Sequence, residues 1–98
     1  MLFAVTCTDQ DGALQMRLDN RQAHLAWANA DGTAVRMGGP LLNPEGQPVG
    51  SLLIVEAGDE AQLRDILTED PYAKAGLFKD VFWIPFKWTL HAPEDLSA

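Results

Sequence analysis

Val81-Phe82-Trp83-Ile84-Pro85-Phe86-Lys87-Trp88-Thr89 is dense in strand-forming residues and reads as the last strand of the chain. Pro85 has no N–H to give to a ladder, so this strand lies at a sheet edge or is bulged or bent there. Its residues are apolar on both sides of the strand alternation. The same holds for Leu2-Phe3-Ala4-Val5-Thr6-Cys7, a short run that reads as a buried central strand. Two more strands lie between them: Thr33-Ala34-Val35-Arg36-Met37, and Ser51-Leu52-Leu53-Ile54-Val55. The loop between those two is marked by Asn43-Pro44, Glu45-Gly46 and Pro48.

Helical spacing fills the remaining gaps. Over residues 13–30, Leu14, Leu18, Leu25 and Ala28 recur on one face. Asp19-Asn20 prefer caps to helix interiors, so this stretch is either one helix or two pieces. Asp31-Gly32 ends it. Over residues 59–69 the apolar face is Ala61, Leu63, Ile66 and Leu67, with Asp59 as the expected N-cap. Residues 71–76 form a turn or a short helix. The order is β-α-β-β-α-β, which predicts an α+β, ferredoxin-like sheet with both helices on one face. The other face is then apolar and open, and it needs a cover. A second copy, sheet against sheet, supplies one. The expectation is a homodimer, a dimeric α+β barrel, with Trp83 and Trp88 in its core. One domain spans residues 1–90, and residues 91–98 form a polar tail.

The bulk numbers bound the partners. The 98 residues carry a formal net charge of -7, which disfavours nucleic acid and anionic membrane surfaces. No apolar run approaches the roughly 18 residues of a membrane span. Cys7 is the single cysteine, so no internal disulfide forms and no oxidising compartment is needed. Met1 leads straight into the first strand and leaves no room for a signal peptide, so a cytoplasmic location is expected.

Chemistry-bearing residues converge on two helix ends. Arg17, Arg21 and His24 fall at i, i+4 and i+7 of the first helix, along one stripe. Arg21 projects into the sector held by Leu14, Leu18 and Leu25 if that helix is continuous. There it packs its stem on apolar neighbours, meets an anionic partner, or faces a solvent-filled pocket. His24 flanks the same face, as a structural residue or as an acid–base group. Asp70 precedes Pro71, where the helix must stop, and a carboxylate there meets the negative end of the helix dipole. It has two uses: capping a segment that starts at Pro71, or facing the imidazole of His24. Gly38-Gly39-Pro40 ends a strand or forms a ligand wall, and Ser51 and Tyr72 are candidates to line a pocket. His24 and His91 are far apart and no cluster has metal-ligand spacing, so no metal is expected. Gly38-Gly39 runs into proline rather than a helix, which excludes a phosphate-binding loop.

Arg17-Leu18, Arg21-Gln22-Ala23-His24-Leu25, Gly39-Pro40, Gly50-Ser51, Asp70-Pro71-Tyr72 with Ala75-Gly76-Leu77, and Pro85-Phe86 together resemble the YciI-like (YCII-related domain) family. The resemblance covers roughly residues 1–90. It departs at Gln22, where the family often has proline. It implies a dimeric α+β barrel with a pocket near the helix ends and a His–Asp catalytic pair, carried here by His24 and Asp70. It also implies elimination chemistry on hydroxylated aromatic compounds. The expected function is that of an enzyme without a cofactor, moving a proton on a small hydroxylated aromatic or anionic substrate in a lyase, isomerase or hydrolase reaction. Arg17 or Arg21 would hold an anionic oxygen, and Gly39, Pro40, Ser51 and Tyr72 would position the substrate. The alternative is a non-enzymatic homodimer that binds a small ligand.

Overall fold

The computed structural model describes residues 1–94. The elements run β1 (Leu2–Asp9), α1 (Leu14–Ala28), β2 (Val35–Leu42), β3 (Pro48–Glu56), α2 (Glu60–Thr68), α3 (Pro71–Lys74) and β4 (Phe78–Phe86). The strands form one antiparallel sheet in the order β2-β3-β1-β4. The helices lie on one face, so the ferredoxin-like α+β architecture is the one the element order implies. Residues 95–98 of the expected polar tail lie outside the described residues. Among the described residues no helix is long and apolar enough to cross a membrane.

Alternation sorts the central strand into two faces. Phe3, Val5, Cys7 and Asp9 point toward the helices and are buried. Phe3, Val5 and Cys7 meet Leu53, Val55, Ala57 and Leu63 in the main core. Asp59 caps α2 by accepting the Gln62 N–H at 2.8 Å. Ala61, placed on the apolar face by spacing, is exposed, and Leu63 is the buried residue of α2.

Several boundaries differ from the sequence reading, each for a local reason. The first helix is continuous through Asp19-Asn20. Asp19 Oδ1 accepts from Gln15 Nε2 and Asn20 Nδ2 donates to the Met16 carbonyl, both at 2.8 Å, so both polar side chains are satisfied one turn back along the helix. Strand β2 passes through Gly38-Gly39-Pro40 instead of ending there. It is an edge strand, where proline is tolerated. At Gly38 an added Cβ would come within 2.5 Å of Leu53 Cδ2 and 3.0 Å of the Leu52 carbonyl. Glycine therefore lets β2 lie close over β3. The other edge, β4, carries Pro85, opposite Phe3. It starts three residues before the expected strand and stops at Phe86.

Trp83 is a correction. It pairs with Val5 and packs against the core on the helix side, with the Arg64 guanidinium 5.4 Å from its ring centroid. It is not on the open face. Trp88 lies beyond β4, edge-on to Phe86 at 5.5 Å. The open face instead presents Phe82 and Ile84, each 66% exposed, with Leu52.

Cys7 is buried between the core and the polar end of β1. Burial pushes its thiol up to about 12, with the Asp70 charge adding to the rise. A thiol raised in the folded state stabilises the fold below its unfolded value, 9.0. That contribution is lost as pH climbs through 9 toward about 12. Cys7 in the native protein is therefore expected to resist iodoacetamide at pH 8 and to react at the free-thiol rate in urea. Equal alkylation rates in the two states would contradict its burial.

Candidate functional site

The inward side of α1 carries polar side chains where periodicity suggested leucines. Arg17 and His24 are its buried residues, while Leu18 and Leu25 are 50% and 37% exposed. One residue step turns about 100° around a helix, so the leucines adjacent to this pair swing out toward a cavity mouth. An inward-facing polar pair is tolerable only if its hydrogen-bonding groups are satisfied, and neighbouring elements satisfy them.

For Arg17 the partner is Asp9 at the end of β1. Arg17 Nε donates to Asp9 Oδ2 at 2.7 Å, and Nη2 donates to Asp9 Oδ1 at 3.0 Å and to Ser51 Oγ at 2.8 Å. Burial disfavours the Arg17 charge, but the hydrogen bond and charge of Asp9 outweigh it and hold the guanidinium above its ordinary range. Asp9 escaped the sequence reading, which ended the strand at Cys7. The signal was present: Phe3, Val5, Cys7 and Asp9 share one alternation.

For His24 the partner is Asp70. The residue before Pro71 is extended, with φ −61° and ψ 122°. Asp70 Oδ1 accepts the Tyr72 N–H at 2.9 Å, which caps α3, and the same oxygen lies 2.8 Å from His24 Nδ1. The two uses left open for Asp70 therefore coexist. The short α3, rather than the body of α2, brings this carboxylate to α1. A carboxylate only accepts, so Nδ1 is the donor, and in the neutral imidazole that leaves the lone pair on Nε2. No buried side-chain nitrogen or oxygen among the described residues lacks a partner, and Nδ1 makes the only hydrogen bond of the His24 ring among them. Nε2 therefore reaches solvent.

Tyr72 joins the two pairs. Its ring stacks on His24 with centroids 4.0 Å apart and planes 15° apart, and it lies 4.6 Å from the Arg17 guanidinium carbon. Burial pushes the Tyr72 phenol up, against the opposing pull of Arg17 and Arg21.

These groups border a cavity of about 260 Å³ between α1, β2 and β3. His24, Arg17, Arg21, Gly39, Pro40, Ser51 and Tyr72 all line it, with Asp70 behind His24. The sequence candidates thus come together at one place. Arg36 and Met37 of β2 also line it, and no motif in the sequence marks them. Among the described residues no three His, Cys, Asp or Glu side chains form a metal ligand set. Chemically, the arrangement offers an oriented imidazole with an open nitrogen beside guanidinium groups.

A family profile described as YCII-related domain matches residues 1–87. No curated protein sequence matches the chain. Among solved structures it is similar to 5-chloro-2-hydroxyhydroquinone dehydrochlorinase (TftG) from Burkholderia phenoliruptrix AC1100, determined in complex with 2,5-dihydroxybenzoquinone. Identity is 34%, the match covers 95% of this chain and 100% of that one, and the TM-score is 0.81. An antibiotic biosynthesis monooxygenase matches at 11% identity and TM-score 0.57, over 91% of this chain and 99% of its own. A NIPSNAP domain protein from Burkholderia xenovorans matches at 16% identity and TM-score 0.53, over 96% of this chain and 100% of its own. These last two share the fold alone.

Proposed function

The chain belongs to the YCII-related domain family, and from that premise we propose that it is an enzyme without a cofactor, in which His24 moves a proton on a small hydroxylated aromatic substrate. The observation that carries this reading is the buried 2.8 Å contact between His24 Nδ1 and Asp70 Oδ1, which leaves Nε2 open to the cavity. Further support comes from the 34% identity to a dehydrochlorinase.

Elimination from a chlorinated para-dihydroxybenzene uses such a group twice. Nε2 takes one O–H proton and returns it to the chlorine-bearing carbon. Removal of the second O–H proton then drives its electron pair through the ring, and the C–Cl bond breaks with its electrons on chloride. The products are a quinone, chloride and a proton. Asp70 fixes the tautomer and stabilises the imidazolium between the two steps. Tyr72 and Ser51 help position the ring. The direct test is chloride release from chlorohydroquinone and from chlorinated hydroxyhydroquinone. The wild-type chain is expected to release chloride from at least one, and His24→Ala to lose the activity. Undiminished release by His24→Ala overturns the role of the imidazole.

We also propose that the open sheet face pairs with the same face of a second copy. Phe82, Ile84 and Leu52 lie exposed on it, apolar side chains of the kind that mark an interface. Ile84→Glu is expected to halve the mass seen in sedimentation equilibrium. A wild-type chain that sediments as a monomer at tens of micromolar would contradict the pairing.

A further inference from the structure

The chain has a net charge of -7 and four arginines, Arg17, Arg21, Arg36 and Arg64. Three of them line the cavity, and among the described residues no Asp or Glu does. The cavity lining therefore carries cationic side chains and no anionic one, in an acidic protein. Its arginines are not equivalent. Arg17 is held by Asp9 in a two-pronged buried pair, which leaves that unit close to neutral. Arg36 pairs with Glu56 at 3.0 Å. Arg21 has no hydrogen bond or ion pair with any described residue. It sits one helical turn before His24, flanked by Leu18 and Leu25, which line the cavity with it.

We propose that this cavity selects an anionic single-ring ligand and that Arg21 is the residue that sets the preference. The inference rests on the proton-transfer reading only for which end of the ligand reacts: the anionic group lies on Arg21 and the reacting carbon beside His24. Arg21 is exposed at the cavity mouth, so its charge is the first that an entering anion meets. Low-dielectric walls focus its field into the cavity. The volume of about 260 Å³ falls below the roughly 300–1,000 Å³ of sites for drug-sized molecules, which suits one substituted ring. The Arg21 charge is also felt at the Tyr72 hydroxyl, so its influence extends to the ring stacked on His24. The ligand class is an ionised hydroxyquinone or ring carboxylate, in which the negative charge is shared between two oxygens and matches the fork of a guanidinium.

Two probes of one skeleton separate charge from shape. 2,5-Dihydroxybenzoquinone behaves as a vinylogous acid and is anionic at neutral pH. 1,2,4,5-Tetrahydroxybenzene, handled without air, carries the same four oxygens and no charge. Calorimetric titration is expected to show that the wild-type chain prefers the anion and that added NaCl erodes this preference. Arg21→Gln should weaken the anion by roughly 10- to 100-fold, the weight of a charge-assisted hydrogen bond, and leave the neutral probe within about twofold. Arg21→Lys should recover part of the loss. Arg21 is exposed, so these variants should melt with the wild type, and a melting scan verifies that they do. Failure of the anion to bind, equal affinity for both probes, or an equal loss of both in Arg21→Gln each overturns the inference. None of these readouts uses turnover. A His24→Ala variant that still releases chloride defeats the proton-transfer reading without touching this one.

Discussion

Asp9→Ala is expected to destabilise the fold by about 3–5 kcal/mol, the range for stranding one member of a buried ion pair. Arg17 is 4% exposed and Asp9 7%. Three of the guanidinium contacts are short hydrogen bonds, two to Asp9 and one to Ser51. Removing the carboxylate leaves a charge that Ser51 alone cannot balance, with the Tyr72 ring as its other close neighbour. The damage is specific to breaking the pair. Replacing both members with apolar residues of similar size, as in Asp9→Leu with Arg17→Met, should recover most of the stability, because the double variant strands no charge. Urea denaturation with an unchanged slope measures both. A single-variant loss below about 1 kcal/mol, the scale of an exposed pair, would mean that Arg17 finds water through the cavity. The double variant should keep its fold yet lose ligand order, since Arg17 also holds Ser51 and Tyr72 at the cavity floor.

That pair marks the boundary of what the chain makes legible on its own. His24 and Asp70 could be picked out because each breaks a local rule: an imidazole beside an apolar stripe, and an acid at the end of a helix before proline. Their contact is not a matter of spacing, since 46 residues separate them, and only the packing of α3 on α1 joins them. Asp9 broke no rule. It lies just past the apolar run that ends at Cys7, in a polar stretch, and only the length of β1 turns it inward. Arg17 and Arg21 are equal candidates in the sequence for holding an anionic oxygen; the length of β1 is what pairs Arg17 with Asp9, and nothing in the spacing of α1 shows it. Gly38-Gly39-Pro40 looked like a strand end because composition does not say which strand lies at an edge. At an edge, proline loses no ladder bond and Gly38 makes room for Leu53. Trp83 was misplaced for a related reason. A strand that is apolar on both sides gives no sign of which side meets the helices, and the pairing of Trp83 with Val5 decides it.

Asp70→Asn tests the proposed chemistry more sharply than removal of the imidazole. Turnover of whichever chlorinated hydroxyaromatic the wild type accepts should fall by roughly 10²–10⁴-fold, comparable to the loss of a positioned acid–base group. The substitution keeps the shape of the side chain. An asparagine oxygen at the Oδ1 position can still accept the Tyr72 N–H, so α3 should remain capped and the melting temperature should fall only modestly. What disappears is the negative charge beside Nδ1. The imidazolium formed when Nε2 takes a proton is then unbalanced in a site 1% exposed at Asp70. If the amide turns its nitrogen toward His24 instead, Nδ1 must accept, the proton moves to Nε2, and the open nitrogen can no longer act as a base. Both outcomes lower kcat, and neither requires a weaker KM, because Asp70 stands behind His24 and outside the cavity lining. A residue that only caps α3 would behave differently, with a drop in melting temperature and kcat nearly intact. The pair can also be tested as a unit. His24→Ala with Asp70→Asn should be little slower than His24→Ala alone, because the carboxylate acts through the imidazole and has nothing left to orient. Additive losses in that double variant would mean that Asp70 serves the reaction by another route.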